Sequence, residues 1–498
     1  MFKIQFTYTV LNRLRELYRS VFVQQAVKGT LWLTLGSFLS KGLVVLAYLL
    51  LAHILSVQEY GEYSMLKATI DNFLIFATMG VGITVTKYIV ELKKTDSLLV
   101  SKIVGISLMA VVLLSTLLFL IITFFSETLA TSFLSNQELA TSLIIAGGVL
   151  VFVAIATVLQ GALLGLQQYR SIFIVHCFQG VLLLAGLTIG GYFYGVLGAI
   201  LGNLIATVCM AIVGLILLKR GLQQEGLALV FSDSRRTLHR IAKFAIPASL
   251  AMLVGAPAIW LMNAQLVNTP NGYEQLGIYS AALIFALALR TINTAIGNAV
   301  LPLFLDVELV VTKRKQFFNY HGAWLTCLAV SLPLLLFPEL GSWLLGSEYP
   351  EEVIEVVIAL SIVSTLSFSF KQGISRDLIR QNKMWYSAFS MLLWAVILFV
   401  VFYFVQHLGA IGFAIAFCSA YLLNTMIAVP FYIYKKITPR QMFFSGWLFP
   451  LLLLIAIFIA VNLSVKLFFV RMVASVFLLF LISIAVKKFY NTLVHPKS

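Results

Sequence analysis

Four ionisable residues lie inside long apolar segments of this 498-residue sequence, where a charge is costly and usually faces protein or a wet cavity. Lys41 is near the middle of one segment and Arg290 near the middle of another, while Lys67 and Asp71 are four residues apart in a third. A guanidinium presents a planar fork that suits phosphate, and an ammonium presents a point charge. Lys41 and Arg290 are therefore candidate anion-binding residues if both face one cavity.

Three of these charges also have a structural explanation, whereas Arg290 has no obvious acid nearby in the sequence. Lys41 can pair with Asp71 inside the first half of the chain, and Lys67 can pair with Asp71 one helical turn away. Asp71 is at the same time a candidate for ion coupling. Lys371 and Arg376 lie at the end of another apolar segment, where either the usual excess of positive charge on the inner side or a role at an inner cavity mouth explains them.

Catalytic signatures are absent from the sequence. It has no Gly-x-x-x-x-Gly-Lys-Ser/Thr phosphate loop, and its six histidines and four cysteines show no spacing typical of metal ligands or of an activated nucleophile. We therefore expect no enzymatic activity, no cofactor and no metal. Membrane enzymes that polymerise or ligate glycans usually need a substantial outward loop. This sequence lacks such a loop, so a membrane glycan polymerase or ligase is a less favoured function.

The composition identifies the elements that hold the buried charges. Hydrophobic residues make up 61% of the chain and charged residues 11%, which is more apolar sequence than a soluble protein of this length can bury. About 20 apolar residues cross a bilayer as a helix. We expect an all-α polytopic membrane protein with about fourteen spans. They are predicted at 29–53, 64–90, 98–125, 140–166, 171–193, 195–218, 241–267, 275–303, 318–345, 353–375, 384–406, 409–434, 443–463 and 469–486.

The charge pattern orients these spans. With fourteen spans, 29 of the 34 basic residues fall on one side, and an excess of Lys and Arg marks the cytoplasmic face. Both termini are therefore predicted to be cytoplasmic, and the net charge of +15 reflects topology, not nucleic-acid binding. Six parts are predicted. Residues 1–28 form a basic leader, amphipathic or unstructured, residues 29–218 a six-helix bundle, residues 219–240 a cytoplasmic linker and residues 241–434 a second six-helix bundle. Helices 13 and 14 occupy residues 443–486, and residues 487–498 form a cytoplasmic tail.

The two bundles are predicted to be parallel repeats around a central cavity, because a six-span offset preserves orientation. Tyr60-Gly61-Glu62-Tyr63-Ser64 matches Leu276-Gly277-Ile278-Tyr279-Ser280 at an offset of 216. Leu197-Gly198-Ala199-Ile200 matches Leu408-Gly409-Ala410-Ile411 at 211, and Gln160-Gly161 matches Gln372-Gly373 at 212. The intramembrane amides of Asn263, Gln160 and Gln372 fit either interhelical hydrogen bonds or sugar contacts.

Several segments resemble the polysaccharide-transporter flippases of the multidrug/oligosaccharidyl-lipid/polysaccharide exporter superfamily. They are 32–36, 52–64, 79–88, 163–170 and 408–414. The resemblance implies a flippase that moves polyprenyl-pyrophosphate-linked oligosaccharide, with undecaprenyl as the carrier, across the bacterial plasma membrane. It also implies a cationic central cavity, and Lys41 and Arg290 are the positions that fit it.

The resemblance further implies membrane lipids and other polysaccharide-assembly membrane proteins as partners. The main alternative within the same superfamily is a cation-coupled multidrug or small-molecule exporter. Such exporters rely on membrane-embedded carboxylates, and Asp71 is the one clearly intramembrane acid in this sequence.

Overall fold

The computed structural model describes residues 21–232, 234–305, 313–381, 383–443, 446–465 and 467–494, and the chain in these ranges is helical with no strand. Short helical turns at Ser126–Thr128, Leu129–Phe133, Gln406–Leu408 and Arg440–Phe443 connect some of the longer helices. The longer helices are α1 Val21–Ile54, α2 Val57–Thr78, α3 Val81–Leu92, α4 Ser97–Phe124, α5 Leu139–Gly165, α6 Tyr169–Gln224, α7 Ser234–Val267, α8 Gly272–Leu305, α9 Lys313–Leu336, α10 Glu339–Leu345, α11 Glu351–Phe370, α12 Gln372–Arg380, α13 Met384–Val405, α14 Gly409–Tyr434, α15 Leu448–Ser464 and α16 Phe468–Val494.

The described helices account for the predicted spans. By length and apolar composition, eight helical stretches of the described residues can cross a membrane, or ten if each of two bent pairs is one span. Two of these stretches, Tyr169–Gln224 and Trp385–Tyr434, have 56 and 50 residues and so have room for two spans each. The chain is therefore an all-α, multi-pass membrane protein. Each of the fourteen predicted spans falls on one of these helices or helix pairs, and the 56-residue α6 holds two of them. The end of the predicted leader, residues 21–28, belongs to α1. Residues 1–20 lie outside the described ranges.

The predicted span 318–345 is not one straight segment. The long helix α9 ends at Leu336, and α10 turns 81° away from it. Pro338 stands between the two helices, and proline disfavours helical geometry at the residue before it. The apolar stretch continues past the proline, so the sequence pattern alone did not show this break.

Two tight turns with a glycine at positive φ separate consecutive spans. Gly195 (φ 56°, ψ −139°) interrupts α6, and Gly409 (φ 58°, ψ −128°) is the first residue of α14, directly after the short turn Gln406–Leu408. Both turns read Gly-x-x-Gly, so Gly195 is equivalent to Gly409 at an offset of 214. This corrects the match at offset 211, which aligned Gly409 with Gly198. The turn needs a residue without Cβ at one defined position, and similarity of flanking letters does not locate that position.

The two halves meet where α2 crosses α8. A Cβ on Gly61 would lie 2.8 Å from the carbonyl carbon of Tyr273, and a Cβ on Gly277 would lie 3.0 Å from that of Val57. Val57 and Gly61 are related to Tyr273 and Gly277 by the same offset of 216, so each half makes the same contact on the other. A reciprocal contact of this kind is what a pseudo-two-fold axis produces. The crossing therefore lies on the axis that relates the repeats.

Further contacts hold the halves together at this end, which we call the closed end: the end that carries the α1–α2 turn and the Gly61–Gly277 crossing. The hydroxyl of Tyr349 donates to the carbonyl oxygen of Ala52 at 3.2 Å, and that of Tyr273 donates to Leu134 at 2.6 Å. The two donors belong to the second half and the two acceptors to the first. The halves are thus joined at the closed end by backbone packing and by buried hydrogen bonds.

Candidate functional site

A cavity of about 320 Å³ lies between the two halves. Its walls come from α2, α7 and α8, with one residue from α1. Three tyrosines gather towards the closed end, and the rings of Tyr48 and Tyr63 are 6.5 Å apart. We call this the central cavity, and its aromatic and polar lining consists of Tyr48, Tyr60, Tyr63, Ser64, Lys67, Asp71, Asn72, Asn263, Ser280 and Arg290.

Three of the predicted site residues line the central cavity together. Lys67 Nζ and Asp71 Oδ2 are 2.5 Å apart on successive turns of α2, and their side chains are 37% and 56% exposed. Asp71 therefore pairs with Lys67 rather than with Lys41. Arg290 faces them from α8. The described charged residues of the lining are two cations and one anion, so the cavity has a formal charge of +1.

The guanidinium of Arg290 is positioned by an aromatic ring. Its central carbon lies 5.4 Å from the centroid of the Phe368 ring, and Phe368 packs edge-on against Tyr421 with centroids 6.0 Å apart. A cation over a ring face is attracted by the ring quadrupole. Phe368 therefore helps to orient the arginine head group at the wall of the central cavity.

Lys41 lies elsewhere. It is half-buried on α1, and its neighbours Ser40 and Leu43 lie against Gly180 of α6. Its charge interacts with His176, also on α6. The structure thus places Lys41 within the first bundle and not among the residues that line the central cavity. Its role as a substrate-binding cation stays a prediction.

Lys371 and Arg376 line a different cavity, also of about 320 Å³, inside the second bundle. We call it the C-terminal cavity; it is enclosed by α11, α12, α13 and α14, and its polar lining includes Lys371, Gln372, Ser375, Arg376, Ser387, Ser390, Tyr421 and Asn424. Lys371 Nζ donates to Asn424 Oδ1. Arg376 donates to the side-chain and backbone oxygens of Asn319, at 2.7 and 2.6 Å. The structure brings these two cations together, apart from Arg290.

Some lining residues carried no sequence prediction. Asn72 is 7% exposed, lines the central cavity, and its Oδ1 has no hydrogen-bond partner among the described residues. Asn424 is fully buried. An amide inside an apolar span is a usable signal for both, as it was for Asn263, which does line the central cavity. Nothing in the sequence distinguishes Phe368 as a lining residue, because it is one of 39 phenylalanines.

Comparisons with known proteins agree with this architecture. The family described as polysaccharide biosynthesis protein matches residues 26–308. The chain is 25% identical over 408 residues to the EPS I polysaccharide export inner membrane protein EpsE of Ralstonia nicotianae, covering 78% of this chain and 90% of that protein. It is 24% identical over the same length to EpsE of Ralstonia solanacearum.

Solved structures show the same fold. An inward-facing multidrug resistance MATE family transporter of the MOP superfamily aligns with a TM-score of 0.60 at 15% identity, covering 84% of this chain and 96% of that one. A MOP superfamily transporter from Pyrococcus furiosus, described as having reverse polarity of its binding pocket, aligns with a TM-score of 0.61 at 17% identity, covering 84% and 97%. These matched proteins are export proteins and transporters rather than enzymes, as the sequence predicted for this chain.

Proposed function

Because the chain belongs to the polysaccharide biosynthesis protein family, we propose that it is a flippase for a polyprenyl-pyrophosphate-linked oligosaccharide in the bacterial inner membrane. The observation that carries this proposal is the cavity between two pseudo-symmetric halves with Arg290 on its wall. A guanidinium can bind the oxygens of a pyrophosphate in a two-point contact. The polyprenyl tail stays in the bilayer, at the gap between the halves.

The remaining lining of the central cavity suits a sugar chain. Asn72 offers a buried amide oxygen, and Asn263 offers a second amide from α7. Tyrosine rings at the closed end provide flat apolar surface beside hydroxyl groups. Sugar hydroxyls need both kinds of contact, because one face of a sugar ring is largely C–H and its edge is polar. Loose, replaceable contacts of this type are compatible with a cargo that must also leave.

The closed end is the outward end in this proposal, because the basic residues of the loops lie at the opposite end of the predicted spans. The cavity then loads from the cytoplasm, and separation of α2 from α8 at the Gly61–Gly277 crossing opens it outward. An inside-negative potential contributes about 2.3 kcal/mol per charge per 100 mV to outward movement of an anion. This driving force accounts for export by a sequence without an ATP-binding motif.

The test is a flipping assay in vesicles with a defined pyrophosphate-linked glycan. Loss of a charge-assisted hydrogen bond costs about 1.5–3 kcal/mol, so Arg290→Gln should reduce flipping by about tenfold to a hundredfold. Arg290→Lys, which keeps the charge without the fork, should retain an intermediate rate. Lys94→Gln removes an exposed cation outside both cavities and serves as the matched control. Wild-type flipping by Arg290→Gln would overturn the proposal.

One observation favours a second candidate function, a cation-coupled exporter of small molecules. The carboxylate of Asp71 lines the central cavity and is more than half exposed to it. The two functions differ in what Asp71→Asn does. An exporter coupled through this acid loses its dependence on an ion gradient in the variant, whereas a flippase that binds its cargo through Arg290 keeps its rate.

A further inference from the structure

The C-terminal cavity contains cationic groups that the proposed transport cycle does not use. Lys371 directly follows the last residue of α11, and Arg376 lies in α12, five residues further along the chain. Their described hydrogen-bond partners are neutral: the amide of Asn424 for the lysine, and the amide and backbone oxygens of Asn319 for the arginine. We propose that this cavity is a second anion site, which binds a phosphate group through Lys371 and Arg376.

The charge balance of the cavity supports an anionic ligand. No acidic residue is among the described residues that line it. Asp377, the next residue along α12, is not part of the lining; its carboxylate accepts a hydrogen bond from the hydroxyl of Tyr320 and also attracts the charge of Arg376 from outside the cavity. Two cations in a partly apolar pocket repel one another more strongly than in water, since the local dielectric constant is lower. An anion between them removes that repulsion.

The donors of the cavity match the geometry of phosphate. Lysine has three N–H donors and arginine five, and the described contacts with Asn424 and Asn319 use one and two of them respectively. The hydroxyls of Ser375 and Ser387 line the same space. Ammonium, guanidinium and hydroxyl groups around one pocket form the strong charge-assisted hydrogen bonds that phosphate oxygens accept.

The lysine is held in place by a network and not by a long flexible arm. Asn424 Oδ1 accepts from both Lys371 Nζ and the hydroxyl of Ser390, and Asn424 Nδ2 donates to the backbone oxygen of Ser390 at 2.7 Å. The amide therefore cannot rotate without breaking these three hydrogen bonds. A charge fixed in this way loses little conformational freedom when a ligand binds.

The second site is next to the first but separate from it. Phe368 lines the C-terminal cavity, and the guanidinium of Arg290, which lines the central cavity, packs on the same ring. One aromatic side chain thus separates the two groups of cations. Ligand binding at each can be removed independently, and this makes the inference testable apart from the proposed function.

The experiment is titration of the purified protein, in nanodiscs of uncharged lipid, with inorganic pyrophosphate in one arm and farnesyl diphosphate in the other, measured by calorimetry. We expect two sites in the wild type. Lys371→Gln combined with Arg376→Gln should remove one site or weaken it tenfold or more, while Arg290→Gln should remove the other. If only farnesyl diphosphate binds, the ligand of the site is a lipid head group. If both compounds bind equally, the ligand is a phosphate compound free in solution. Either result supports the site.

A second variant guards against misfolding. Ser375→Asp places a carboxylate one turn from Lys371 without removing the Lys371–Asn424 hydrogen bond, so it should block the anion site in a folded protein. Lys435→Gln, an exposed cation outside the cavity, is the matched control and should bind as the wild type. Wild-type stoichiometry and affinity in Ser375→Asp or in the double variant would overturn the inference and leave both cations with a purely structural role.

Discussion

Adding one methyl group at the crossing of α2 and α8 should shift the balance between the closed and open forms of the closed end. In Gly61→Ala the new Cβ would lie 2.8 Å from the carbonyl carbon of Tyr273 and 2.9 Å from the nitrogen of Gly277. Both are backbone atoms, so no side chain can rotate away and the helices themselves must separate. Overpacking of this kind costs about 1–3 kcal/mol, and the cost disappears once the halves part at this end.

The expected shift follows from that cost. A difference of about 1–3 kcal/mol between two states changes their ratio by about 5-fold to 150-fold. The shift can be measured by pulsed electron-spin distance spectroscopy with labels at Gln58→Cys and Glu274→Cys, in a variant lacking the four native cysteines. Both positions are exposed, and they are related by the repeat offset of 216. The population with the longer label separation should rise in Gly61→Ala, and turnover should fall because re-closing is impeded.

Two further variants make the test specific. Gly277→Ala should act in the same direction, because its Cβ would meet the backbone of Val57 and Gly61 in the two-fold-related contact. Gly42→Ala is the matched control: this glycine is exposed within α1 and its added Cβ meets nothing within 4 Å. An unchanged distance distribution in folded Gly61→Ala would refute the assignment of this crossing as the outward closure.

Other predictions concern stability. Gly195→Ala should lower the free energy of unfolding by about 1–3 kcal/mol, because residues with a Cβ rarely adopt φ 56° with ψ −139°. Chemical denaturation measures this loss of stability. Asp71→Asn should change stability by no more than about 0.5 kcal/mol, because the pair with Lys67 is exposed and local; a thermal shift of several degrees would contradict this. Glu339→Gln should destabilise the packing of α16 by about 1–3 kcal/mol, because it removes the carboxylate 2.6 Å from the buried Arg471; protease resistance of α16 reports it.

The helical framework could be predicted because its cause is local. An apolar run long enough to cross the bilayer must satisfy its backbone within itself, so length and composition determine where helices lie. Errors arose where one residue controls the backbone. Pro338 ended a helix inside an apolar run, and Gly195 rather than Gly198 was the turn residue equivalent to Gly409.

The sequence by itself identified which residues carry charge into the membrane, because a lysine or arginine in an apolar run is visible without any coordinates. Only the tertiary structure decided which of them share a cavity. Each helical residue points about 100° away from the previous one, so a side chain's surroundings depend on how its helix is rotated against its neighbours. That rotation directs Lys67 and Arg290 into the central cavity, Lys371 and Arg376 into the C-terminal cavity, and Lys41 towards α6.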